Sequence, residues 1–404
     1  MNSKSGSSVK LSFAGDIMCI GKQLEACTVG RVHDFTSLFA DTKELFSSSD
    51  YVVGNFETPV AGESSGYTSE RYRFNNPEAF AEAVRDAGFD LVSTANNHCM
   101  DRNAAGLFAT LDTLDRINID HIGTYRSREE RDGCFMREIN GVKVGFLAYT
   151  YGTNAFAHHM YLEDGQLFAV NLFQPQECRP GSIHLLDPID RIAQQVDELY
   201  LPGNPVFEKE IRPYHDQLKR DVQALNKNGA DFIVLIMHSG GQYNKIPDPY
   251  TLKLVDMIVE MGGVDAIIGH HPHIILPCII KKNIPVAFSI GNFIGMPNTA
   301  PDWAADYVDY SVVAHLHLRM NRPGSMLEKL TFSITKSVLR PNGVATVVPL
   351  CDLIRETSDP VLKSKLLEDN CRMVNLFRGS SGSEVPFCEE YEFHLYKSQD
   401  ADQE

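Results

Sequence analysis

The feature that most limits the fold is a rhythm. Short β-type apolar runs alternate with helix-type segments from residue 9 to about 290, and polar clusters stand directly behind the runs. Alternation of this kind predicts a layered α/β protein rather than a β-sandwich or a helical bundle. Residues 9–14, 51–56 and 89–95 read as the first three strands. A helix lies between the last two, with Asn76 as cap, Pro77 at its first position and its end at Gly88. A helix over 104–117 follows, then Asn140-Gly141, the turn of a hairpin whose second strand covers 142–149. From 152 to 207 the periodicity weakens, and this stretch reads as an excursion from the core. Order returns with a helix near 208–228, a strand over 231–237, a helix over 250–261 and a strand over 264–268. Residues 307–320, 327–339 and 344–349 alternate like antiparallel strands, the first pair turned at 321–324.

The polar clusters are Gly15-Asp16, Gly54-Asn55-Phe56-Glu57, Ala95-Asn96-Asn97-His98, His238-Ser239-Gly240-Gly241 and Gly269-His270-His271-Pro272-His273. Open α/β sheets place their sites behind strand ends in this way. Singly, each has an ordinary explanation: Asp16 as a turn cap, Asn96-Asn97 as a turn, Glu57 as a solvated acid, His238 as a buried imidazole. Around Pro272 the two histidines stand on alternate residues, which on extended chain point to one side and can grip one ion. Together the clusters offer carboxylates, an Asn oxygen and imidazoles. Such a mixed O/N set suits Mn, Fe, Zn or Mg, and the inference is a divalent-metal site for one or two ions. Two ions about 3.5 to 4 Å apart clamp a phosphoryl group.

Charge and composition narrow the rest. The 37 basic and 53 acidic side chains leave a net charge of −16, which repels phosphate backbones and argues against nucleic-acid binding. An apolar share of 43% is ample for a large core. No apolar run approaches the ~20 residues of a membrane span, so no membrane insertion is expected. The start is polar and Ser-rich, and the nine cysteines are scattered without CxxC spacing, so the expected compartment is the cytoplasm. Nothing in the sequence fixes an oligomeric state.

The order of motifs resembles the calcineurin-like metallophosphoesterases, and more closely their CapA branch, associated with poly-γ-glutamate capsule synthesis. The resemblance rests on Phe13-Ala14-Gly15-Asp16, Gly54-Asn55-Phe56-Glu57, Tyr72-Arg73-Phe74-Asn75, Ala95-Asn96-Asn97-His98 with Asp101, Gly269-His270-His271-Pro272-His273 and Ser289-Ile290-Gly291-Asn292-Phe293. It implies an α/β (α+β) four-layer sandwich of two mixed β-sheets flanked by helices, over a domain at 8–350 with a C-terminal extension at 351–404. It implies Asp16, Glu57 and His273 as ligands of one ion, and Glu57, Asn97, His238 and His271 as ligands of the other. Glu57 would bridge, or Asn55 would take the bridging position. His98 would protonate the leaving group, with Asp101 orienting it. Arg73 and Asn292 are the substrate-binding candidates, and Thr153 and Asn154 would line the same cleft. Two positions depart from the pattern: Met18 stands where the superfamily has a histidine, and Gln242 where CapA proteins carry a glutamate. The membrane anchor typical of capsule-synthesis members is not seen. The expected function is a metal-dependent hydrolase acting on a phosphoester or an anionic polymer. The alternatives are a metal-poor acid/base enzyme acting on a peptide and a non-catalytic polymer-synthesis factor.

Overall fold

The computed structural model describes residues 8–68, 73–176, 196–201, 203–297, 299–320, 326–382 and 384–395. Two large mixed sheets organise them. The nine-stranded sheet runs Ala345–Pro349, Leu327–Leu339, Tyr310–Arg319, Ser8–Ile17, Tyr51–Phe56, Leu91–Ser93, Asp120–Ile122. Asn292–Ile294 adds to Ser8–Ile17, and Tyr391–Phe393 adds to Leu327–Leu339. The six-stranded sheet runs Ile275–Lys281, Ile284–Ile290, Ala266–His270, Phe232–His238, Val142–Thr150, Met136–Ile139. In each sheet a block of parallel strands carries antiparallel partners.

One apolar core joins the sheets face to face: Leu11, Phe13, Val53 and Leu91 from the first meet Val144, Phe146, Val234 and Ile268 from the second. Helices cover the outer faces. Glu78–Asp86 and Asn103–Arg116 lie on the first sheet, where Phe80, Val84 and Leu114 share a core with Val52, Phe56 and Val92. Arg212–Lys227 and Pro249–Met261 lie on the second, with Leu218, Val222, Leu254 and Ile258 against Ile233, Leu235 and Ile267. The result is the expected four-layer arrangement. Parallel strands covered on both faces must be apolar throughout, and all seven residues of Phe232–His238 are buried. Beyond Leu350, the helix Pro360–Arg378 sends Leu366, Met373 and Phe377 into the same core that joins the sheets.

Most expected elements lie within a few residues of their observed bounds. The Asn140-Gly141 turn has φ of 49° and 85°, the left-handed pair a two-residue hairpin requires. The first strand is longer than expected and carries Asp16 inside it. Asn292–Ile294, the hairpin of Ile275–Lys281 with Ile284–Ile290, and the helices beyond 350 have no counterpart in the sequence reading. That hairpin turns at Lys282 and Asn283, with φ of 49° and 67°, and a lysine in a left-handed turn position gives no turn signal. The expected turn at 321–324 and the acidic tail after residue 397 lie outside the described residues.

Candidate metal centre

Register brings the polar clusters together. Asp16 pairs with Asn55 across parallel strands, and His238 pairs with both His270 and Thr150. The clusters therefore share the carboxyl ends of the two facing sheets. Gly15 makes the join possible: a Cβ there would sit 2.0 Å from the Gly291 carbonyl, the oxygen that accepts the Asp16 amide at 2.9 Å. Gly269 is equally confined, since a Cβ would come within 2.2 Å of the Phe288 carbonyl.

Two donor groups result. Glu57, His238 and His271 form one and Asp16, Glu57 and His273 the other, with the ligand atoms of each within 4.8 Å of one another and all residues buried. Glu57 belongs to both. Asn97 joins the first group, its Oδ1 2.9 Å from His238 Nε2. Asn55 holds the carboxylates apart, donating to Asp16 Oδ1 at 2.8 Å and to Glu57 Oε2 at 3.4 Å. One histidine outside the expected ligand set takes part: His270 Nδ1 is 2.8 Å from Asp16 Oδ1. Its signal was its place in the histidine run, at the last residue of a strand.

The histidine turn differs from the extended chain expected. The strand ends at His270, and His271 and His273 have φ of 98° and 59°, left of the usual range and bracketing Pro272. Their rings diverge into separate donor groups with centroids 5.7 Å apart, the division that the resemblance implies, instead of gripping one ion as an extended chain would. Positive φ at two non-glycine residues is a strain that clusters at functional sites.

Electrostatics fit a cation. Burial, reinforced by the Asp16 and Asp101 carboxylates, raises the Glu57 carboxyl well above its ordinary range. Burial also opposes ionisation of Asp16, but hydrogen bonds from His270 and His273 overcome it and hold that carboxyl well below the usual value. Burial with the neighbouring His273 imidazole pulls His271 down to about 3, and burial with His271 pulls His238 well down too, so both rings are neutral. Glu57 Oε1 and His271 Nδ1 are buried without a hydrogen bond. Among the described residues no Lys or Arg pairs with Asp16, Glu57 or Asp101. Neutral imidazoles facing an unpartnered carboxylate oxygen make a donor set that a divalent ion completes.

The His98–Asp101 pair stands beside this centre. His98 Nδ1 is 2.7 Å from Asp101 Oδ2, which also accepts the Phe74 amide at 2.6 Å. Phe74 stacks on the His98 ring at 4.2 Å. Asp101 accepts at Nδ1, so Nε2 is the ring nitrogen left for chemistry. His98 and His273 then border a cleft of about 850 Å³, together with Met18, Gln242 and Tyr243.

A family described as Bacterial capsule synthesis protein PGA_cap matches residues 10–296, a span that holds every donor described above. The chain belongs to the PGA_cap family. It is 27% identical over 286 residues to the PGA biosynthesis protein CapA of Bacillus subtilis, a match covering 70% of this chain and 62% of that protein. It is 26% identical over 288 residues to the Bacillus anthracis capsule biosynthesis protein CapA, covering 70% and 59%. The matched segment thus spans about three-fifths of those relatives. A solved hypothetical protein from Thermus thermophilus aligns at TM-score 0.38 and 16% identity, covering 84% of this chain and 98% of that one. Among the described residues no helix of this PGA_cap member is long and apolar enough to cross a membrane.

The remaining expected site residues fall in different places. Asn292 Oδ1 lies 2.9 Å from His273 Nδ1 and so orients that ring. Arg73 is not among the residues lining the cleft, and its Nε is buried without a hydrogen bond. Asn154 reaches the site through its Oδ1, which accepts from Asn97 Nδ2 at 3.3 Å. His158 was not anticipated, and its Nε2 stands 3.7 Å from Asp101 Oδ1. It lies in the 152–207 excursion, where no pattern pointed to it.

Proposed function

We propose that the protein is a metal-dependent hydrolase of phosphoester bonds. The observation that carries this reading is the pair of buried donor groups sharing Glu57, with the His98–Asp101 pair at the edge of the same cleft. Asp16, Glu57 and His273 would hold one ion, and Glu57, Asn97, His238 and His271 the other. Bound there, divalent ions supply Lewis acidity toward a phosphoryl oxygen and lower the pKa of water.

The chain's own groups do the rest. Asn55 and His270 fix the Asp16 carboxylate, and Asn292 fixes the His273 ring. In hydrolysis, water adds to phosphorus, the bond from phosphorus to the ester oxygen breaks, and His98 Nε2 gives its proton to the departing oxygen. Asp101 stabilises the protonated ring and keeps Nε2 turned to the reaction. The Bacillus relatives' names add the cellular setting, and by that likeness we read the process as capsule polymer synthesis.

The test is turnover of a panel of phosphomonoesters and phosphodiesters by the purified chain loaded in turn with Mn, Fe, Zn and Mg. Hydrolysis that disappears with a chelator and returns with metal is expected. Metal bound at stoichiometric levels with no ester hydrolysed would overturn the reading, and would leave an assembly role.

A further inference from the structure

Asp101 is buried, and its two oxygens are used unequally. Oδ2 accepts from His98 Nδ1 at 2.7 Å and from the Phe74 amide at 2.6 Å, whereas Oδ1 is buried without a hydrogen bond. That second oxygen faces another imidazole. His158 Nε2 stands 3.7 Å from it, an ion-pair rather than a hydrogen-bonding distance. His158 ends a single helical turn, Ala155–His158, flanked by Asn154 at φ 54° and His159 at φ 53°. Both flanking residues are left-handed, a conformation that asparagine accepts readily and histidine at a cost. The turn closes through the His158 amide on the Asn154 carbonyl at 3.0 Å, which brings residues four apart to one face. From that face Asn154 accepts from Asn97 Nδ2 at 3.3 Å while His158 meets Asp101. Asn97 and Asp101 are themselves four residues apart, so one turn spans both. Behind it Gln176 donates to Thr153 Oγ1 at 2.5 Å and accepts the Leu162 amide at 2.9 Å, which holds the turn in place.

We propose that His158 is a positioning residue for the His98–Asp101 pair: a proton on its Nε2 holds the Asp101 carboxylate so that Oδ2 stays on His98 Nδ1. This rests on the hydrolase reading above and adds a third group to its proton donor. An aspartate carboxylate turns easily about its last bond, because that torsion is broad. Rotation would take the acceptor away from His98 Nδ1, and with it the tautomer and ring orientation that aim Nε2 at the departing oxygen. Attraction at Oδ1 opposes the rotation. In a buried, water-poor site an attraction at 3.7 Å keeps more of its strength than it would in bulk water. His158 thus acts through Asp101, and Asn154 ties the same turn to the Asn97 side of the centre.

The test uses the Zn-loaded full chain and a readout that needs no turnover. The Nδ1 proton of His98 is followed by NMR as a downfield imidazole resonance, identified by its loss in His98→Ala. His158→Phe keeps a ring and removes the N–H, and is expected to shift that resonance upfield or broaden it away. His158→Gln, whose amide donates from a similar reach, is expected to restore it. On an alkyl phosphoester His158→Phe should lower kcat about tenfold with KM and bound Zn little changed, the scale on which an orienting partner acts. On an activated aryl ester the loss should be much smaller, and His158→Gln should recover most of it on either. A His98 resonance indifferent to His158→Phe, equal losses on the two esters, or loss of Zn from the variant would each overturn the assignment. If the parent hydrolyses no ester, the hydrolase reading falls, while the resonance still decides whether His158 holds the pair. Should His158→Phe melt well below the parent, His158→Asn against His158→Gln carries the same comparison, since the shorter amide falls short of Asp101.

Discussion

The Asn55 amide nitrogen stands 2.8 Å from Asp16 Oδ1, and the same NH2 group reaches Glu57 Oε2 at 3.4 Å. One neutral donor thus separates two carboxylates buried in the join between the sheets. Replacing it with a third carboxylate removes both hydrogen bonds and adds like charge, which costs about 2–3 kcal/mol or more in the metal-free protein. A divalent ion reverses the sign, because an additional anionic oxygen strengthens its binding. Asn55→Asp is therefore expected to melt lower than the parent without metal and to gain more than the parent on adding Mn. Melting curves with and without the ion test it. An equal deficit in both conditions would show that Asn55 acts on packing alone.

Gly15 makes a second prediction, concerning how the site is held rather than what it binds. A methyl group at Gly15 would overlap the Gly291 carbonyl at 2.0 Å, and backbone cannot move aside as a side chain can. Gly15→Ala should therefore push the strand carrying Asp16 away from the 291–294 segment, at more than the ~1–3 kcal/mol typical of overpacking. At Gly152 a Cβ meets nothing within 4 Å. Gly152→Ala is the matched control, expected to leave the melting temperature within a degree or two. Thermal melts and metal titration of both variants decide the matter, and a Gly15→Ala protein as stable as the control would contradict the close approach.

Much of this arrangement was readable in the chain, and the reason is geometric. Parallel strands deliver their carboxyl ends to one edge, so residues at or just behind the ends of strands 8–17, 51–56, 91–93, 232–238 and 266–270 converge whatever the connections between them. That is why Asp16, Glu57, Asn97, His238, His271 and His273 could be gathered from strand-end positions and motif order. What escaped depends on contacts that strand position does not specify. The resemblance places His271 and His273 on different ions but not the turn that parts their rings, where backbone at φ of 98° and 59° replaces the extended chain. The pairing of Asn292 with His273 follows from a three-residue strand too short to announce itself. His270 and His158 reach carboxylates across long stretches of sequence, distances that no local pattern encodes.

The two donor groups are unequal, which leads to a third prediction. Glu57, His238, His271 and Asn97 supply four side chains, whereas Asp16, Glu57 and His273 supply three. Met18, two residues beyond Asp16, lines the adjoining cleft and offers only a thioether, a poor donor for borderline or hard ions. The His271 site is expected to fill first and to release its ion last. Elemental analysis across a chelator series should pass through a plateau near one ion per chain, and His271→Ala should abolish that plateau. Two ions leaving together at one chelator concentration would count against the inequality.

Acid stability offers a fourth prediction, remote from the metal centre. His215 packs against Tyr200 and Phe207, and burial pulls its imidazole from 6.5 down to about 4 despite the opposing influence of Asp216. Unfolding exposes the ring and restores the higher value, so below pH 6.5 the unfolded chain binds the extra proton. The stability contributed by the neutral ring is present above pH 6.5 and is lost as the pH falls toward 4, on the order of 3 kcal/mol by that point. His215→Phe keeps an aromatic ring and removes the proton site. Its melting temperature should therefore fall less steeply than the parent's between pH 6.5 and 4, with parallel curves refuting the assignment.

His98 and Asn97 are neighbours in the chain with different expected roles, and the contrast separates chemistry from metal binding. Asn97 Oδ1 points at His238 within the donor set, while His98 turns its Nδ1 to Asp101 and borders the cleft. Asn97→Ala is expected to weaken metal binding, and His98→Ala to retain metal and lose turnover. General acid catalysis is worth roughly 10² to 10⁴ in rate, so a loss of that size is expected with an alkyl phosphoester, whose leaving oxygen must be protonated. An activated aryl phosphoester leaves without that help. The His98→Ala deficit should consequently shrink on the aryl ester, while the Asn97→Ala deficit stays similar on both. Asp101→Asn should reproduce the His98→Ala pattern in weaker form, since it removes the acceptor that holds Nδ1 but leaves the ring in place. A His98→Ala deficit of equal size on the two esters would rule out proton donation, and metal lost from that variant would place His98 among the ligands.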